Sequence, residues 1–545
     1  MNTSFFLPQI DKERCLSWCV DTSPCQAACP LGIDVEGYLS AIASGDFEDA
    51  IAIIREQCAL PSVCGRVCHH PCETECKRGL VDEPISIRAL KRFAADACSS
   101  HTQRAEPVEQ TRPEKIAIIG SGPAGLAAAH DLVRRGFAVT VFERMAVPGG
   151  MLAFGIPEFN LPQEIVQGEI DYIRSLGVEI RTGVGVGTDI TLRELRDHGY
   201  RAILIATGAQ DSALLTMPGS DLEGIIPAMP FLQKAKLGDR ESISGRVAVI
   251  GGGNVAIDVA RTARRLGAEE VRIVCLESRD DMPAFGEMIE AAEREGVLME
   301  TGLAPESFQS VDGKRVSRII LRWVTSFSRN VDGQIRFQVD KDPQGVVERD
   351  VDWVIIAIGQ ILDSVTLDLS PECTPMGTFD CDPLTGMTKS TGIFGAGDVV
   401  DNPGTVTGSM AGGRRAADTI ARFLSGEVSE QRGGTGGPFT GSDSIPQGIT
   451  PSPRRQMAML PAEEGVKNFQ EVELGFTRDE AMEEAARCLR CKTCNRCAVE
   501  TRCVALSLTS NGRKMSPCVQ GMVCAGCGRC ARACPFAAIY LVEFE

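Results

Sequence analysis

The sequence predicts a multidomain α/β protein, on three observations. Strand-sized apolar runs alternate with helical segments from Lys115 to about Gly426, the pattern of a parallel sheet. Two of those runs end in glycine-rich turns that open helices. Of 23 cysteines, ten precede residue 99, ten follow residue 487, and only Cys275, Cys373 and Cys381 lie between. A chain of 545 residues exceeds what one core supports, so three or four units are expected.

Residues 1–98 are expected to form a helical head, in which VEGYLSAIASGDFEDAIAIIREQ separates two cysteine runs. CLSWCVDTSPCQAACP (15–30) carries Cys15, Cys19, Cys25 and Cys29, and VCGRVCHHPCETEC carries Cys64, Cys68, Cys72 and Cys76. Together they suffice for two tetrathiolate sites. The opening residues MNTSFFLPQIDKERC show no basic segment followed by an apolar stretch, so a cytoplasmic protein is expected and metal ligation is favoured over disulfides. His69 and His70 are expected as neighbours of a cluster, and Cys58, Cys98, Cys275, Cys373 and Cys381 as buried small hydrophobes.

A polar stretch at 99–114 reads as a linker. The first glycine loop follows, in KIAIIGSGPAGLAAAHDLVRRGFAVTVFE. Gly120 suits the tight turn, Gly122 with Pro123 and Ala124 lets backbone approach a pyrophosphate at a helix N-terminus, and Gly125 lets helix and sheet pack closely. Glu143, ahead of Arg144, ends the second strand, where an acid meets a ribose. Strand, turn, helix, strand and acid in this order form a Rossmann-like dinucleotide unit, far more specific than a bare GxGxxG.

The second loop, RVAVIGGGNVAIDVARTARRLGAEEVRIVCLE, places Gly251, Gly253 and Ala256 in the small-residue positions, with Asn254 and Val255 opening the helix. A second dinucleotide is expected there. Late in the chain, TGIFGAGDVVDNPGTVTGSMAGG resembles the closing motif of two-dinucleotide flavoproteins: Gly397 and Asp398 would meet a ribityl chain, and the helix start at Thr407 would face a flavin ring. On that reading residues 115–235 and 365–426 form an FAD domain, and 236–364 an inserted NAD(H) domain. The loop GGMLAFGIPEFNLP, with Gly149, Gly150 and Met151, is expected beside the flavin. The second unit's strand ends at Glu277, followed by Ser278 and Arg279; a carboxylate there accepts from a free ribose 2′-hydroxyl and repels a 2′-phosphate, which points to NADH.

A Gly-, Ser- and Pro-rich region from 427 to 487 is expected to link to the tail domain, 488–545. Its CAGCGRCARACP holds Cys524, Cys527, Cys530 and Cys534 at the spacing of a ferredoxin-like cubane site. Cys488, Cys491, Cys494, Cys497 and Cys503 supply a second set, with Cys503 completing the first cluster, Cys534 the second, and Cys518 spare. About four [4Fe-4S] clusters are expected in all. Zinc also takes paired CxxC, but three closely spaced cysteines followed by Cys-Pro favour iron and sulfide.

The marks CQAACP, CGRVCHHPCETEC, GSGPAGLAAA, GGMLAFGIPEFNLP, GGGNVAIDVAR, DDMPA and GAGDV, over residues 15 to about 425, resemble the glutamate synthase small-subunit family. Its relatives include the large subunit of NADH-dependent ferredoxin:NADP oxidoreductase and the head of dihydropyrimidine dehydrogenase. The resemblance implies FAD, a nicotinamide cofactor and clusters in the head. Three departures stand out. Family heads open with CxxC, whereas Cys15 and Cys19 are three residues apart internally. Some relatives complete the second head cluster with Gln or Glu where this chain has Lys91, which makes Cys64 the substitute ligand. NADPH-using members carry Tyr-Arg-Arg where Cys275, Leu276 and Glu277 stand here, which again implies NADH.

Nicotinamide trades electrons in pairs and clusters take them singly, so a flavin belongs between them. The expected function is that of an electron-transfer flavoprotein subunit joining NADH to ferredoxin or partner subunits, an electron-bifurcating complex being one such assembly. An NADPH-dependent glutamate synthase small subunit is one alternative, and a non-catalytic iron–sulfur relay or scaffold another. A disulfide reductase is disfavoured, because residues 115–425 contain no CxxC. No side-chain acid or base is assigned to catalysis. Net charge of −17 disfavours a nucleic-acid partner, and no apolar run is long enough to span a membrane.

Overall fold

The computed structural model describes residues 5–10, 23–98, 104–329, 335–362, 378–382, 385–400, 404–427, 449–491, 506–511, 514–519, 524, 530 and 539–544. Two five-stranded parallel sheets form its body. In the first, the order is Ile393–Gly395, Tyr200–Ile205, Lys115–Ile119, Ala138–Glu143 and Glu179–Thr182. Its central strand, IAII, is buried on both faces, which is why it reads as a continuous apolar run. The late strand at Ile393 completes a sheet begun at Lys115, and the intervening chain folds as an insertion.

The inserted sheet runs Leu298–Glu300, Glu270–Val274, Arg246–Ile250, Trp353–Ile356 and Ile225–Pro227. Ile225–Pro227 pairs with Trp353–Ile356, so this sheet takes in residues ahead of the expected boundary at 236. Between Glu300 and Trp353 the chain makes an antiparallel sheet of Leu303–Gln309, Arg318–Arg329, Ile335–Val339 and Val346–Asp350. Asp211–Ser212 and Gln360–Ile361 pair antiparallel at the crossing between the two domains.

The long closing helix, Val406–Leu424, crosses the first glycine-loop helix, Pro123–Arg134. A Cβ at Gly413 would collide with the Ala124 carbonyl, so the crossing requires glycine. This crossing brings the first and last pieces of the domain together.

The head is built from short helices, chiefly Val35–Ser44, Phe47–Arg55, Pro61–Val67 and Ile87–Ala97. Asp34 and Asp46 cap the first two of these by accepting from backbone N–H groups. Tyr38, Ile42 and Leu90 belong to the same hydrophobic core as Ala128, Leu132 and Ile170 of the first domain. A buried ion pair, Arg55–Glu169 at 3.1 Å, crosses that junction, and Glu169 also accepts from the Ser62 N–H at 2.6 Å. The expected linker at 99–114 is tied down where described: the Ala105 N–H donates to Ser175 Oγ at 2.8 Å, and Val108 bonds the Leu176 carbonyl.

Residues 449–487, expected as part of a second linker, are instead packed against the head. Arg66 and Arg92 pair with Glu471 at 2.9 and 3.0 Å, and Arg88 with Glu473 at 2.7 Å. The helix Arg478–Ala486 opens with a capping box, Thr477 with Glu480, and lies against the helix Val35–Ser44. In the tail, Leu506–Asn511 pairs with Lys514–Val519, and Ile539–Phe544 pairs antiparallel with Phe5–Ile10. Among the described residues no helix is long and apolar enough to cross a membrane.

Candidate functional site: two nucleotide cradles facing the cysteine head

Both glycine loops sit at the C-terminal edge of their sheets, where ligands of α/β folds bind. Gly120 has φ +102°, and a Cβ there would strike the Ala206 carbonyl; Gly251, with φ +134°, stands in the same relation to Ala357. Beyond each turn the space is open, since a Cβ on Gly122 or Gly253 would meet nothing within 4 Å. Each glycine caps its helix, Pro123–Arg134 or Asn254–Arg265, so free N–H groups and the positive helix end face that space. Both loops therefore fit a pyrophosphate.

A cavity of about 650 Å³ joins the cradles. The first domain contributes Gly122, Pro123, Ala124, Glu143, Gly150, Met151, Gly397, Asp398 and Ser409 to its wall, and the second contributes Asn254, Val255 and Asp258. The head contributes Cys68, His69 and Arg88, and the packed stretch after 449 adds Arg454 and Met457.

Glu143 is buried and already engaged. Its carboxylate accepts from Ser121 N at 3.0 Å, Ser121 Oγ at 2.6 Å and Met145 N at 2.8 Å, which pins the loop to the strand end. The Gly149 N–H donates to the same Ser121 hydroxyl at 2.9 Å, so the loop bearing Gly150 and Met151 is held over the glycine turn. Arg144 donates to Gln210 at 2.9 Å and lines a smaller cavity of about 70 Å³ with Val184, Thr188 and Gly208. Asp398 accepts from Ser409 Oγ at 2.9 Å; burial raises its pKa, and that hydroxyl works against the rise. Thr407, at the start of the closing helix, has a buried hydroxyl with no hydrogen-bond partner among the described residues. Thr407 is not among the residues lining the cavity, whose wall at this helix start is Thr405 and Val406; a flavin-sized group fits the open cradle itself.

In the second cradle the strand expected to end at Glu277 stops at Val274, and Glu277 is buried three residues beyond it, with Oε2 3.2 Å from where a Gly252 Cβ would stand. Arg329 pairs with its other oxygen at 2.9 Å. Ser278 donates to Asp281 at 2.6 Å. Arg279, the side chain nearest in sequence that would suit a 2′-phosphate, is taken up in a two-pronged pair with Glu293 at 3.0 Å. The Asn254 carboxamide oxygen accepts from the Phe285 N–H at 3.0 Å.

Several lining residues carry no motif and sequence reasoning missed them. Asp258 accepts from Asn160 Nδ2 at 2.9 Å, and burial raises its pKa to about 7 against the pull of Arg261. Gln360 donates to the Met229 sulfur at 3.1 Å. Thr207 and Gln360 both stand just past strand ends, in ATGAQ and AIGQ, which is the signal that finds them. His69 stacks on Phe285, with centroids 5.1 Å apart, and His70 bonds Glu287 at 3.2 Å. Burial opposes the charge on Glu287, but His70 and Arg88 outweigh it and hold its carboxyl at about 2.

Cys68 faces the shared cavity, and its sulfur accepts from the His70 N–H at 3.3 Å. Cys72 lies within electrostatic reach of Cys68 and Cys29. Cys64 touches the buried Lys91 amine at 2.8 Å, so the residue in place of the family's Gln or Glu caps a thiol. Cys25 and Cys76 line a separate crevice together with Cys488 and Cys491, which were expected in the tail set. Cys15, Cys19, Cys494, Cys497, Cys503, Cys527 and Cys534 lie outside the described residues, as does Cys373. Thiolates of the head's number and type fit iron–sulfur clusters.

Comparison with known proteins agrees with this geometry. Residues 114–413 match the family described as pyridine nucleotide-disulphide oxidoreductase, and residues 8–103 match dihydropyrimidine dehydrogenase domain II, 4Fe-4S cluster. The NADP(+)-dependent formate dehydrogenase subunit beta of Moorella thermoacetica is 38% identical over 510 residues, 86% of this chain and 70% of that one. The NADPH-Fe(3+) oxidoreductase subunit beta of Geobacter sulfurreducens is 35% identical over 510 residues, covering 86% and 75%. The NAD-dependent dihydropyrimidine dehydrogenase subunit PreT of Escherichia coli is 34% identical over 426 residues, covering 77% and 95%. The chain thus binds FAD and NAD(P), has a head of the 4Fe-4S type, and belongs to the pyridine nucleotide-disulphide oxidoreductase family as an NAD(P)H-dependent FAD/iron–sulfur oxidoreductase.

Proposed function

We propose that this protein is the nicotinamide-oxidising or -reducing subunit of a larger redox assembly, and that it moves electrons between NADH and one-electron carriers through FAD and its clusters. The observation that carries the reading is the shared cavity: both glycine loops and the head's Cys68 open onto one space. A flavin seated between them would take a hydride's electron pair and return electrons singly. The chain's own residues do the positioning. The helix starting at Pro123 faces the phosphates, Asp398 and Glu143 offer acceptors to hydroxyl groups, and the loop at Gly149–Met151 closes over the turn. His69 and Phe285 stack across the junction of head and inserted domain and hold the two against each other.

NADH is the proposed substrate. Glu277, just beyond the strand and paired through one oxygen with Arg329, offers its other oxygen beside the glycine turn, and Arg279 is occupied by Glu293. Two of the relatives are named for NADP(H) and one for NAD, so the choice rests on these residues rather than on kinship. The tail, with its Cys524–Cys534 run, is proposed as a two-cluster ferredoxin-like outlet toward partner subunits or ferredoxin.

The test is anaerobic purification with any co-purifying subunits, followed by NADH- and NADPH-dependent reduction of viologen dye and of ferredoxin. Flavin-loaded, iron-replete protein that reacts with neither nicotinamide overturns the function. Faster turnover with NADPH at equal concentration overturns only the substrate choice.

A further inference from the structure

The crevice beside the head brings four cysteines together from opposite ends of the sequence. Cys25 lies on the helix Pro24–Ala28, Cys76 follows the turn at Glu75, and Cys488 and Cys491 come just past the helix Arg478–Ala486. All four line the same crevice, with Ser23 and Lys77. Cys25 and Cys76 are within electrostatic reach of each other and of Cys491, and Cys488 of both Cys25 and Cys491. Cys25, Cys76 and Cys488 also pack on the head's core.

We infer that Cys25, Cys76, Cys488 and Cys491 are the four ligands of one [4Fe-4S] cluster, held jointly by the head and the segment that leads into the tail. The assignment rests on the head's reading as an iron–sulfur domain and goes beyond it in naming a ligand pair over 400 residues away.

Two further facts agree with it. The head's own opening pair, Cys15 and Cys19, has the wrong spacing for CxxC, whereas Cys488 and Cys491 have the right one. The ten tail cysteines also exceed by two what a pair of four-cysteine clusters needs. With Cys488 and Cys491 given to the head, the remainder is Cys494, Cys497, Cys503, Cys518, Cys524, Cys527, Cys530 and Cys534, a full complement for two.

The segment is also anchored where such a ligand pair needs rigidity. Arg487, next to Cys488, pairs with Asp82 at 3.0 Å and with Glu484 at 2.7 Å, and its carbonyl accepts from Arg78 Nη1 at 3.1 Å. Arg78 stands two residues from Cys76, so the two halves of the proposed site are braced by one network.

The experiment uses the full-length chain, purified anaerobically with its clusters, as wild type and as Cys76→Ala, Cys488→Ala and the double variant, with Cys524→Ala for comparison. Iron and acid-labile sulfide per chain and the EPR spectrum of the reduced protein are measured. Each single variant should lose about four irons and the same EPR component, and the double variant no more than about four. Cys488→Ala combined with Cys524→Ala should lose about eight. The assignment is overturned if Cys76→Ala and Cys488→Ala remove different components and their losses add. If Cys76→Ala leaves iron unchanged, the iron–sulfur reading of this part of the head fails as well.

Wild-type protein gives a second measurement, independent of how the variants fold. During stepwise loss of clusters to a chelator, alkylation mapped by mass spectrometry should reach Cys25, Cys76, Cys488 and Cys491 in one step. Labelling of Cys488 and Cys491 together with Cys524 and Cys530 would refute the shared site.

Discussion

The Glu484 carboxylate accepts from the backbone N–H of Ser86 at 2.9 Å, across a sequence separation of 398 residues. Glu484 is fully buried and takes two further bonds, from Arg455 N at 2.9 Å and Arg487 Nη1 at 2.7 Å. One side chain thereby joins the head, the stretch after 449 and the run into Cys488. Removing it leaves two amides without their acceptor and takes from the buried Arg487 one of its two carboxylates, Asp82 being the other. Glu484→Ala should cost about 3 kcal/mol or more, the usual loss when one partner of a buried charged network is deleted. Thermal unfolding and amide exchange at Ser86 and Arg455 report it; an unchanged midpoint would contradict the anchoring role.

Glu277 predicts a split between the two nicotinamides. Glu277→Ala should raise the KM for NADH about tenfold, roughly the value of one charge-assisted hydrogen bond, and leave that for NADPH within about twofold. Steady-state assays with dye as acceptor measure both. Equal losses would mean that Glu277 serves structure, through its pair with Arg329.

Asp258 makes stability depend on pH. Its folded pKa, about 7, lies above the unfolded carboxyl value, so folding favours the protonated form. That contribution is present in acid and is lost as pH rises through about 7. Asp258→Asn, which keeps the neutral shape, should therefore unfold at a temperature that varies less between about pH 5.5 and 8, and should exceed wild type at the alkaline end. Parallel curves for the two proteins would show that Asp258 ionises freely.

The helix crossing supplies a fourth expectation. Gly413→Ala forces a Cβ against the Ala124 carbonyl, backbone against backbone, where no side chain can yield. The helices must separate by a few tenths of an ångström or more, at a cost of about 1–3 kcal/mol, and the cradle at Pro123–Gly125 moves with them. Flavin content after gel filtration should fall well below one per chain. Retention of full flavin would place the cofactor elsewhere.

Much of this architecture is legible in the sequence because its elements are local. IAII before Gly120 and VAVI before Gly251 are buried on both faces and bounded by turns only glycine fits, so strand, turn and helix can be read within thirty residues of chain. The boundary near 236 and the state of residues 449–487 are not local. Ile225–Pro227 is a three-residue strand defined only by its neighbour Trp353–Ile356, and no periodicity marks so short a run. The stretch after 449 is polar, and its order comes from ion pairs with Arg66, Arg88 and Arg92, which stand far away in the sequence. Spacing alone put Cys488 and Cys491 in the tail; only the fold brings Cys25 and Cys76 to them. Asp258 was missed for a similar reason, since a lone carboxylate on a nucleotide helix carries no motif.

The antiparallel ribbon of Phe5–Ile10 with Ile539–Phe544 has a consequence for biogenesis. Translation proceeds at about 5–20 residues per second, so the leading strand waits on the order of half a minute to two minutes before its partner leaves the ribosome. Throughout that interval the strand Phe5–Ile10 has an unpaired backbone edge. Shielding by a holdase, or a pause in elongation, would matter more for this protein than for one whose first strand closes on its second.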